Sequence, residues 1–181
     1  DWEGGALTFK DAIGGGTVMT IARDGVYLNP TGYASTWYVD GNTSNTTLDG
    51  KTWATAFSTL AAGLAAAHSF QTTSANRAWA KRSVVYVVGD ALTETLTKLA
   101  EKTDVIGLGQ CDGFLGARIV GNQLIGATVY PGCRMFNLAF QADAGVVMTI
   151  PTTQSGIGFY GCDFLAGATT TIGLLATAIN T

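Results

Sequence analysis

Cys111-Asp-Gly-Phe114 and Cys133-Arg-Met-Phe136 are two copies of a degenerate motif that lie 22 residues apart, and Cys162-Asp-Phe164 repeats it again. Gly145-Val-Val-Met-Thr-Ile150 and Gly167-Ala-Thr-Thr-Thr-Ile172 are offset by the same 22 positions. Short β-type runs with a period in the low twenties are typical of a solenoid, in which each repeat buries its apolar face against the next. The repeat therefore predicts a solenoid architecture, and it does not indicate any catalytic activity.

Short apolar runs bounded by glycine continue through the second half of the chain. The strongest is Ser83–Gly89, with the sequence SVVYVVG. Further strands of typical length are predicted after it: 104–108, 117–120, 127–130, 135–140, 146–150, 157–160 and 170–174. Runs of this size match the faces of a β-solenoid.

One amphipathic helix is predicted over about 53–69, with Thr52 as its N-cap. Its large or apolar residues recur at helical spacing and form one stripe: Phe57, Leu60, Ala61, Leu64 and His68. Because the chain's single histidine lies on this stripe, we expect it to be a packed helix residue and not a catalytic one.

The composition excludes several functional classes. Charged residues make up 13% of the chain and the net charge is −3, whereas a typical soluble domain has about 25% charged residues. The longest basic run is Lys81-Arg82, so nucleic acid binding has no electrostatic basis. No apolar run approaches the roughly 18 residues that a transmembrane helix needs. The low charge favours a surface that is covered by partners or by copies of the chain.

The order of motifs resembles the opening of a right-handed parallel β-helix of the pectate-lyase-like class. The residues that carry the resemblance are Tyr38-Val-Asp-Gly41, then DGKTWATAF at Asp49–Phe57, then Val84–Gly89 and Val105–Gly109. The resemblance implies an all-β fold with one capping α-helix. Residues 1–36 are rich in glycine and threonine and contain turn signals. They predict either an N-terminal arm or docking segment that contacts a neighbour, or an ordinary N-terminal β-hairpin that covers the core. The β-helix would occupy 37–181, and we expect it to continue, or to be covered by another subunit, beyond residue 181.

The class includes polysaccharide lyases and hydrolases, bacterial surface proteins, and phage tailspikes, fibres and head-decoration proteins. The arm-like segment 1–36 and the low charge favour the viral branch, in which the β-helix is usually a trimer. The resemblance thus implies a structural component of a bacteriophage virion: a fibre, a spike or a capsid-decoration subunit. Its partners would be two further copies in a homotrimer, other virion proteins bound through the arm, and a host glycan.

Two alternatives remain open. One is a carbohydrate-active β-helix enzyme, either a polysaccharide lyase or a glycosidase with depolymerase activity. The other is a bacterial surface adhesin, which would be secreted or located at the cell surface. The sequence favours a protein that is not an enzyme, because it shows no grouped catalytic residues.

The repeat itself offers few reactive groups. Asp112 and Asp163 follow cysteines at matching positions with Arg134 between them, so we expect an ion-paired ladder and not a catalytic carboxylate pair. Three cysteines cannot all form internal disulfides, and equivalent positions in a solenoid predict stacked free thiols. No CxxC or HxxxH spacing is present, so we expect neither a zinc site nor a cofactor.

One surface position is a candidate contact site. Trp79 lies in a polar stretch beside Arg77 and Arg82, whereas Trp37 and Trp53 are expected to cap the core. Aromatic residues and arginine are enriched at protein interfaces. We therefore predict that Trp79, Arg77 and Arg82 form an exposed contact with a subunit or a glycan.

Overall fold

The computed structural model describes residues 33–73, 82–109 and 116–176, together with three earlier strands at 6–10, 17–22 and 25–28. The chain divides into two compact units, Asp1–Tyr33 and Ala34–Thr181. The fold is mainly β, which confirms the predicted class. The elements in chain order are β1 (Ala6–Lys10), β2 (Thr17–Ala22), β3 (Gly25–Leu28), β4 (Tyr33–Asp40), α1 (Leu60–Thr72), β5 (Arg82–Val88), β6 (Leu92–Thr93), β7 (Thr103–Gly107), β8 (Arg118–Val120), β9 (Gln123–Leu124), β10 (Arg134–Phe136), β11 (Ala139–Ile150), β12 (Gly158–Tyr160) and β13 (Asp163–Ala176).

The first unit contains a three-stranded antiparallel sheet in the order β1-β2-β3. A bulge lies between Phe9 and Lys10. The pairing aligns two rows of apolar residues across all three strands: Leu7–Ile21–Val26 and Phe9–Met19–Leu28. The expectation that this segment docks on a neighbour stays a prediction.

The second unit is built on two parallel sheets. Sheet I has the order β4-β5-β7-β10-β12, and sheet II has the order β6-β8-β11-β13, with β9 also paired to β11. From β5 onward the chain visits the two sheets in turn, apart from β9. Parallel neighbours need a crossover between them, and here the strand of the other sheet lies within each crossover.

The core is formed by in-register rows of apolar side chains from both sheets. In sheet I the inward row is Val85–Val105–Met135–Phe159. In sheet II it is Leu92–Ile119–Phe140–Phe164. The rings of Phe140 and Phe164 stack at 5.5 Å, and Phe159 contacts Phe140 edge-on at 6.2 Å. Because partners in a parallel ladder lie directly over each other, each row is a continuous apolar stack.

The helix begins later than predicted. Thr59 is the N-cap of α1 and accepts a hydrogen bond from the Ala62 amide. Thr52 instead caps a short 3-10 turn at Trp53–Thr55 through a reciprocal capping box. The predicted single helix over 53–69 is wrong because Phe57 forms a parallel bridge with Val39, and this bridge holds the chain extended between the two helical segments.

The helix packs on the inward side of β4 and β5. Its buried residues are Leu60, Gly63, Leu64, Ala67 and Gln71. A Cβ atom at Gly63 would lie 2.7 Å from Cγ2 of Val39 and 3.0 Å from Cγ1 of Val85, so only glycine allows this close approach.

A distant carboxylate holds the start of the helix. The two oxygens of Glu94, which follows β6, accept hydrogen bonds from the amides of Leu60 (2.7 Å) and Ala61 (2.8 Å). These are first-turn amides that no intrahelical carbonyl can satisfy, and the positive end of the helix dipole favours an anion there. Burial nevertheless raises the pKa of the Glu94 carboxyl, and this effect outweighs the two hydrogen bonds.

The predicted register of the repeat is wrong. Val146 pairs with Ile172 and not with Ala168, the residue 22 positions further on. Two register shifts between Ala142 and Val146 place additional residues in β13. Val146 and its partner Ile172 are therefore separated by more residues than the 22 of the repeat in the sequence.

The two described cysteines of the motif lie in different sheets. Cys133 precedes β10 of sheet I, whereas Cys162 precedes β13 of sheet II, so the two thiols are not stacked equivalents. Both are free, and Cys111 lies outside the described residues. The predicted strand 135–140 is divided by Asn137, whose φ of +54° makes a corner, and residues 127–130 form no strand.

Val147 provides a test of the core. Its side chain is 0% exposed, so Val147→Asp should destabilise the fold by at least about 3 kcal/mol, because it buries an unpaired charge. Val146 is only partly buried, and Val146→Asp is the matched control with a smaller expected loss. Urea denaturation measures both, and unchanged stability in both variants would contradict the inward placement of this strand.

Glu94 predicts a specific dependence of stability on pH. Because its pKa is raised in the fold, the folded state binds more protons than the unfolded state just above the usual value of 4.5, and stability falls as pH rises through that window. The thermal midpoint of the native protein should therefore rise relative to that of Glu94→Gln as pH is lowered from 7 towards 4.5. A difference that shrinks or stays constant over this range would refute the assignment.

Candidate functional site: an outward aromatic ladder with an ion-paired flank

The outward face of sheet I carries a row of large side chains. Tyr86 pairs with Ile106, Ile106 with Phe136, and Phe136 with Tyr160. Each lies next to inward residues of the core, since successive residues of a strand face opposite sides. We call this row, together with Tyr38 of β4, the outer ladder. Its members are partly buried except Tyr160, which is 51% exposed.

The rings of the outer ladder contact one another. Phe136 and Tyr160 stack at 4.8 Å with an interplanar angle of 14°. Tyr38 lies 5.9 Å from Tyr86, and Trp53 contacts Tyr38 edge-on at 4.7 Å. Each such pair contributes about 0.5–1.5 kcal/mol beyond its burial. Burial also raises the pKa of the Tyr86 phenol, with a smaller contribution from Tyr38.

The stacking determines what this face offers to a ligand. Where rings stack on each other, their faces are occupied and their edges point outward. A sugar ring needs an open aromatic face, and in the stacked pair at the β12 end each ring has one face against the other ring. The ring contacts of the outer ladder thus join neighbouring strands.

An ion-paired cluster flanks the outer ladder. Asp104 is 2% exposed at its side chain and accepts hydrogen bonds from two arginines of neighbouring strands. Arg82 donates from Nε (2.9 Å) and Nη2 (2.5 Å) to Oδ1, and Arg134 donates from Nε to Oδ1 (2.8 Å) and from Nη2 to Oδ2 (2.6 Å). Arg82 Nη2 also donates to the carbonyl of Gly132. Charge-assisted bonds of this kind are the strong ones, so the cluster holds β5, β7 and β10 together.

The cluster differs from the predicted ladder of Asp112, Arg134 and Asp163. Arg134 pairs with Asp104, whereas Asp163 begins β13 in sheet II and Asp112 lies outside the described residues. The prediction failed because it counted positions from the cysteines, and the cysteine motifs belong to different sheets. An ion-paired ladder that contains Arg134 was predicted, but its partner Asp104 and the second arginine, Arg82, were not.

Only one of the three predicted contact residues can be located. Arg82 is engaged with Asp104 and borders an open cleft of about 370 Å³ with Glu101, Lys102, Pro131 and Gly132. Trp79 and Arg77 lie outside the described residues. Their predicted contact with a subunit or a glycan stays a prediction.

The aromatic residues of the outer ladder were missed in the sequence, although a signal was present. Phe136 and Tyr160 each directly precede a residue with positive φ, Asn137 (+54°) and Gly161 (+57°). An aromatic residue followed by a corner residue thus ends two strands of sheet I, β10 and β12. The sequence does not reveal that the two rings are register partners.

His68 is packed, as expected. Its ring contacts Tyr130 edge-on at 5.2 Å and borders a groove of about 220 Å³ between α1 and residues 97–99. Nδ1 of His68 is buried and has no hydrogen-bond partner within the described part of the chain.

The two described thiols, Cys133 and Cys162, are poorly suited to nucleophilic catalysis. Burial raises the pKa of Cys133 to about 11, and burial also raises the pKa of Cys162. The thiolate is the reactive form, so both side chains stay protonated near neutral pH. Among residues 33–73, 82–109 and 116–176, no three His, Cys, Asp or Glu side chains are grouped closely enough to hold a metal ion.

Asp104 tests the role of the ion-paired cluster. Asp104→Asn leaves two guanidinium groups without their carboxylate, and we expect a loss of at least about 2 kcal/mol. The loss should stay below the roughly 3–5 kcal/mol of a fully buried pair, because Arg82 and Arg134 are 25% and 40% exposed.

Asp90→Asn is the matched control for this change. Asp90 pairs with Arg118 but is 55% exposed, so its removal should cost no more than about 1 kcal/mol. Chemical denaturation compares the two variants. Equal small losses would show that the Asp104 cluster does not hold the strands together.

The comparisons with known proteins identify no relative. No family model matches the chain, and no curated protein or solved structure does so either. No helix among the described residues is both long and apolar enough to cross a membrane. The function is therefore inferred from the geometry of the chain alone.

Proposed function

We propose that this protein is a structural component of a bacteriophage virion, a fibre, spike or capsid-decoration subunit that acts as a homotrimer. One observation carries the proposal: charged and aromatic side chains of sheet I contact one another across neighbouring strands. On sheet I the outer ladder and the Arg82–Asp104–Arg134 cluster both join neighbouring strands. Side chains that an enzyme or a receptor would present to a ligand are here engaged in holding the sheet together.

The proposed architecture is a right-handed parallel β-helix capped by α1. Its support is the alternation of the chain between two parallel sheets from β5 onward and the stacked rows within each sheet. Crossovers between parallel strands of one sheet are right-handed in about 98% of cases. A stack of this kind resists mechanical and proteolytic opening, because each interior strand is held by both of its neighbours.

The low charge supports assembly with copies of the chain. Only 13% of residues are charged, and Tyr160 and Trp53 are 51% and 41% exposed at the two ends of the outer ladder. Charged residues are depleted at the centre of protein interfaces, and aromatic residues are enriched there. Location in the virion and contact with other virion proteins follow from this proposal.

The carbohydrate-active alternative has weaker support. Asp104 is buried and already accepts from two arginines, so it is poorly suited to act as a general base. The stacked pair of the outer ladder presents ring edges and not a continuous aromatic platform. A host glycan as a binding partner, without cleavage, remains part of the proposal.

The proposal predicts a stable trimer without depolymerase activity. Light scattering on a sizing column should give three times the chain mass over a wide concentration range. Incubation with capsular and plant polysaccharides should release neither reducing ends nor unsaturated sugars. A monomer that degrades a polysaccharide would replace the virion proposal with the enzyme alternative.

A direct test of location uses antibodies raised against the full chain. Phage particles produced by the bacterium that carries this coding sequence should be labelled at one position in electron micrographs. Particles lacking the protein would contradict the virion role even if the trimer were confirmed.

A further inference from the structure

The cleft beside the ion-paired cluster carries groups that the cluster does not use. It has a volume of about 370 Å³ and is lined by Arg82, Glu101, Lys102, Pro131 and Gly132. This volume lies within the range of about 300–1,000 Å³ that is typical of ligand sites. All five residues lie where the chain enters β5, β7 and β10, so the pairing of sheet I fixes their positions relative to one another.

Arg82 brings an unused guanidinium nitrogen to this cleft. Its Nε and Nη2 donate to Asp104, and Nη2 also donates to the carbonyl of Gly132, whereas Nη1 donates no hydrogen bond within the described part of the chain. The Arg82 side chain is 25% exposed, and a Cβ atom added to Gly132 would lie 3.5 Å from Nη1. Because Gly132 lines the cleft, Nη1 is held at its wall with two N–H groups available to an acceptor.

Lys102 adopts a backbone conformation that belongs to glycine at the matching turns. Lys102, Gly132 and Gly156 each lie two residues before paired positions of β7, β10 and β12. Their φ angles are +45°, +76° and +67°, a region that glycine adopts freely and lysine adopts only with strain. Strain of this kind is concentrated at functional sites, and here it places the stem of a lysine at the cleft.

The charges around the cleft favour a ligand with a single negative charge. Arg82 and Arg134 share the carboxylate of Asp104, so the cluster keeps one positive charge. Lys102 adds a second positive charge, and Glu101 offsets one of the two. The remaining single positive charge complements a carboxylate better than a phosphate dianion. The Glu101 carboxylate is also an acceptor for hydroxyl groups of a ligand.

From this we infer that the cleft binds the carboxylate of an acidic sugar. The ligand carboxylate accepts hydrogen bonds from Nη1 of Arg82 and lies beside Lys102, while hydroxyl groups of the sugar donate to Glu101. Pro131 provides an apolar surface against which the sugar ring packs. Assigning this sugar to a host glycan rests on the proposed function, whereas the chemistry of the cleft does not.

The test compares two lysines in the full chain. Lys102→Asn removes one positive charge from the cleft, and asparagine tolerates a positive φ. Lys98→Asn removes the same charge from an exposed residue that does not line the cleft. In titrations with glucuronate followed by NMR, we expect Lys102→Asn to weaken binding roughly tenfold, the loss of about one charge-assisted contact. Lys98→Asn should bind like the native protein, and Lys102→Asn should keep the native thermal midpoint.

Glu101→Gln is a second variant that leaves the cluster intact, because Glu101 takes part in none of the ion pairs of the described residues. It removes the charge that opposes the ligand, so glucuronate should bind more tightly. Glucose, which has the same ring without the carboxylate, should bind at least about tenfold more weakly than glucuronate to the native protein.

Three results would overturn the inference. They are equal binding of glucose and glucuronate, equal weakening by the two lysine variants, and tighter binding of inorganic phosphate than of glucuronate. The last of these would show that the cleft selects charge and not a sugar acid.

The outcomes also separate this inference from the proposed function. A native trimer that binds no glucuronate would overturn the inference and leave the proposed function standing. A monomer that binds glucuronate through Lys102 would support the inference and overturn the proposed trimer.

Discussion

In-register pairing of parallel strands is the constraint on which the second unit depends. In a parallel ladder each residue lies over one partner of the next strand, so one register sets the inner and the outer face at once. Val85, Val105, Met135 and Phe159 stack inward because Tyr86, Ile106, Phe136 and Tyr160 stack outward. A slip by one residue would exchange these rows and place the Asp104 carboxylate in the core, at a cost that no ring stacking could offset.

The two edges of sheet I differ. At β4 the edge is covered, since the amide of Tyr38 donates to the carbonyl of Gly50 and the amide of Asp40 donates to that of Phe57. Lys51 places its Nζ 3.3 Å from the centre of the Trp37 ring, which adds a cation–π contact to this cover. At β12 no further described strand continues the sheet. Natural β proteins cover such edges or pair them, so the proposed assembly would place a neighbour at the β12 edge and Tyr160.

The second unit presents apolar rows that are set by strand register, and few charges lie near those rows. A chain of this kind gains stability by adding layers, whether the layer is its own next strand or a copy of itself. This pattern supports the structural role that we propose.

The sequence by itself determined the class of the fold and the position of most strands. Alternation and β-branched residues in SVVYVVG at 83–89 were enough to predict β5, because hydrophobic periodicity is a local property. The Ala-rich stripe likewise predicted a helix, although its start was misplaced: the bridge between Phe57 and Val39 is a contact between distant residues that no local pattern reports.

Only the tertiary structure decided which residues stack. The cysteine motif suggested one ladder, but Cys133 and Cys162 precede strands of different sheets, since similar turns serve both sheets. Asp104 is 22 residues from Arg82 and 30 residues from Arg134 in the sequence. Crossovers of unequal length bring the three side chains together. Crossover length is set by how each loop packs, which is a property of the whole fold, and for that reason the partners of a residue could not be read from a fixed period in the sequence.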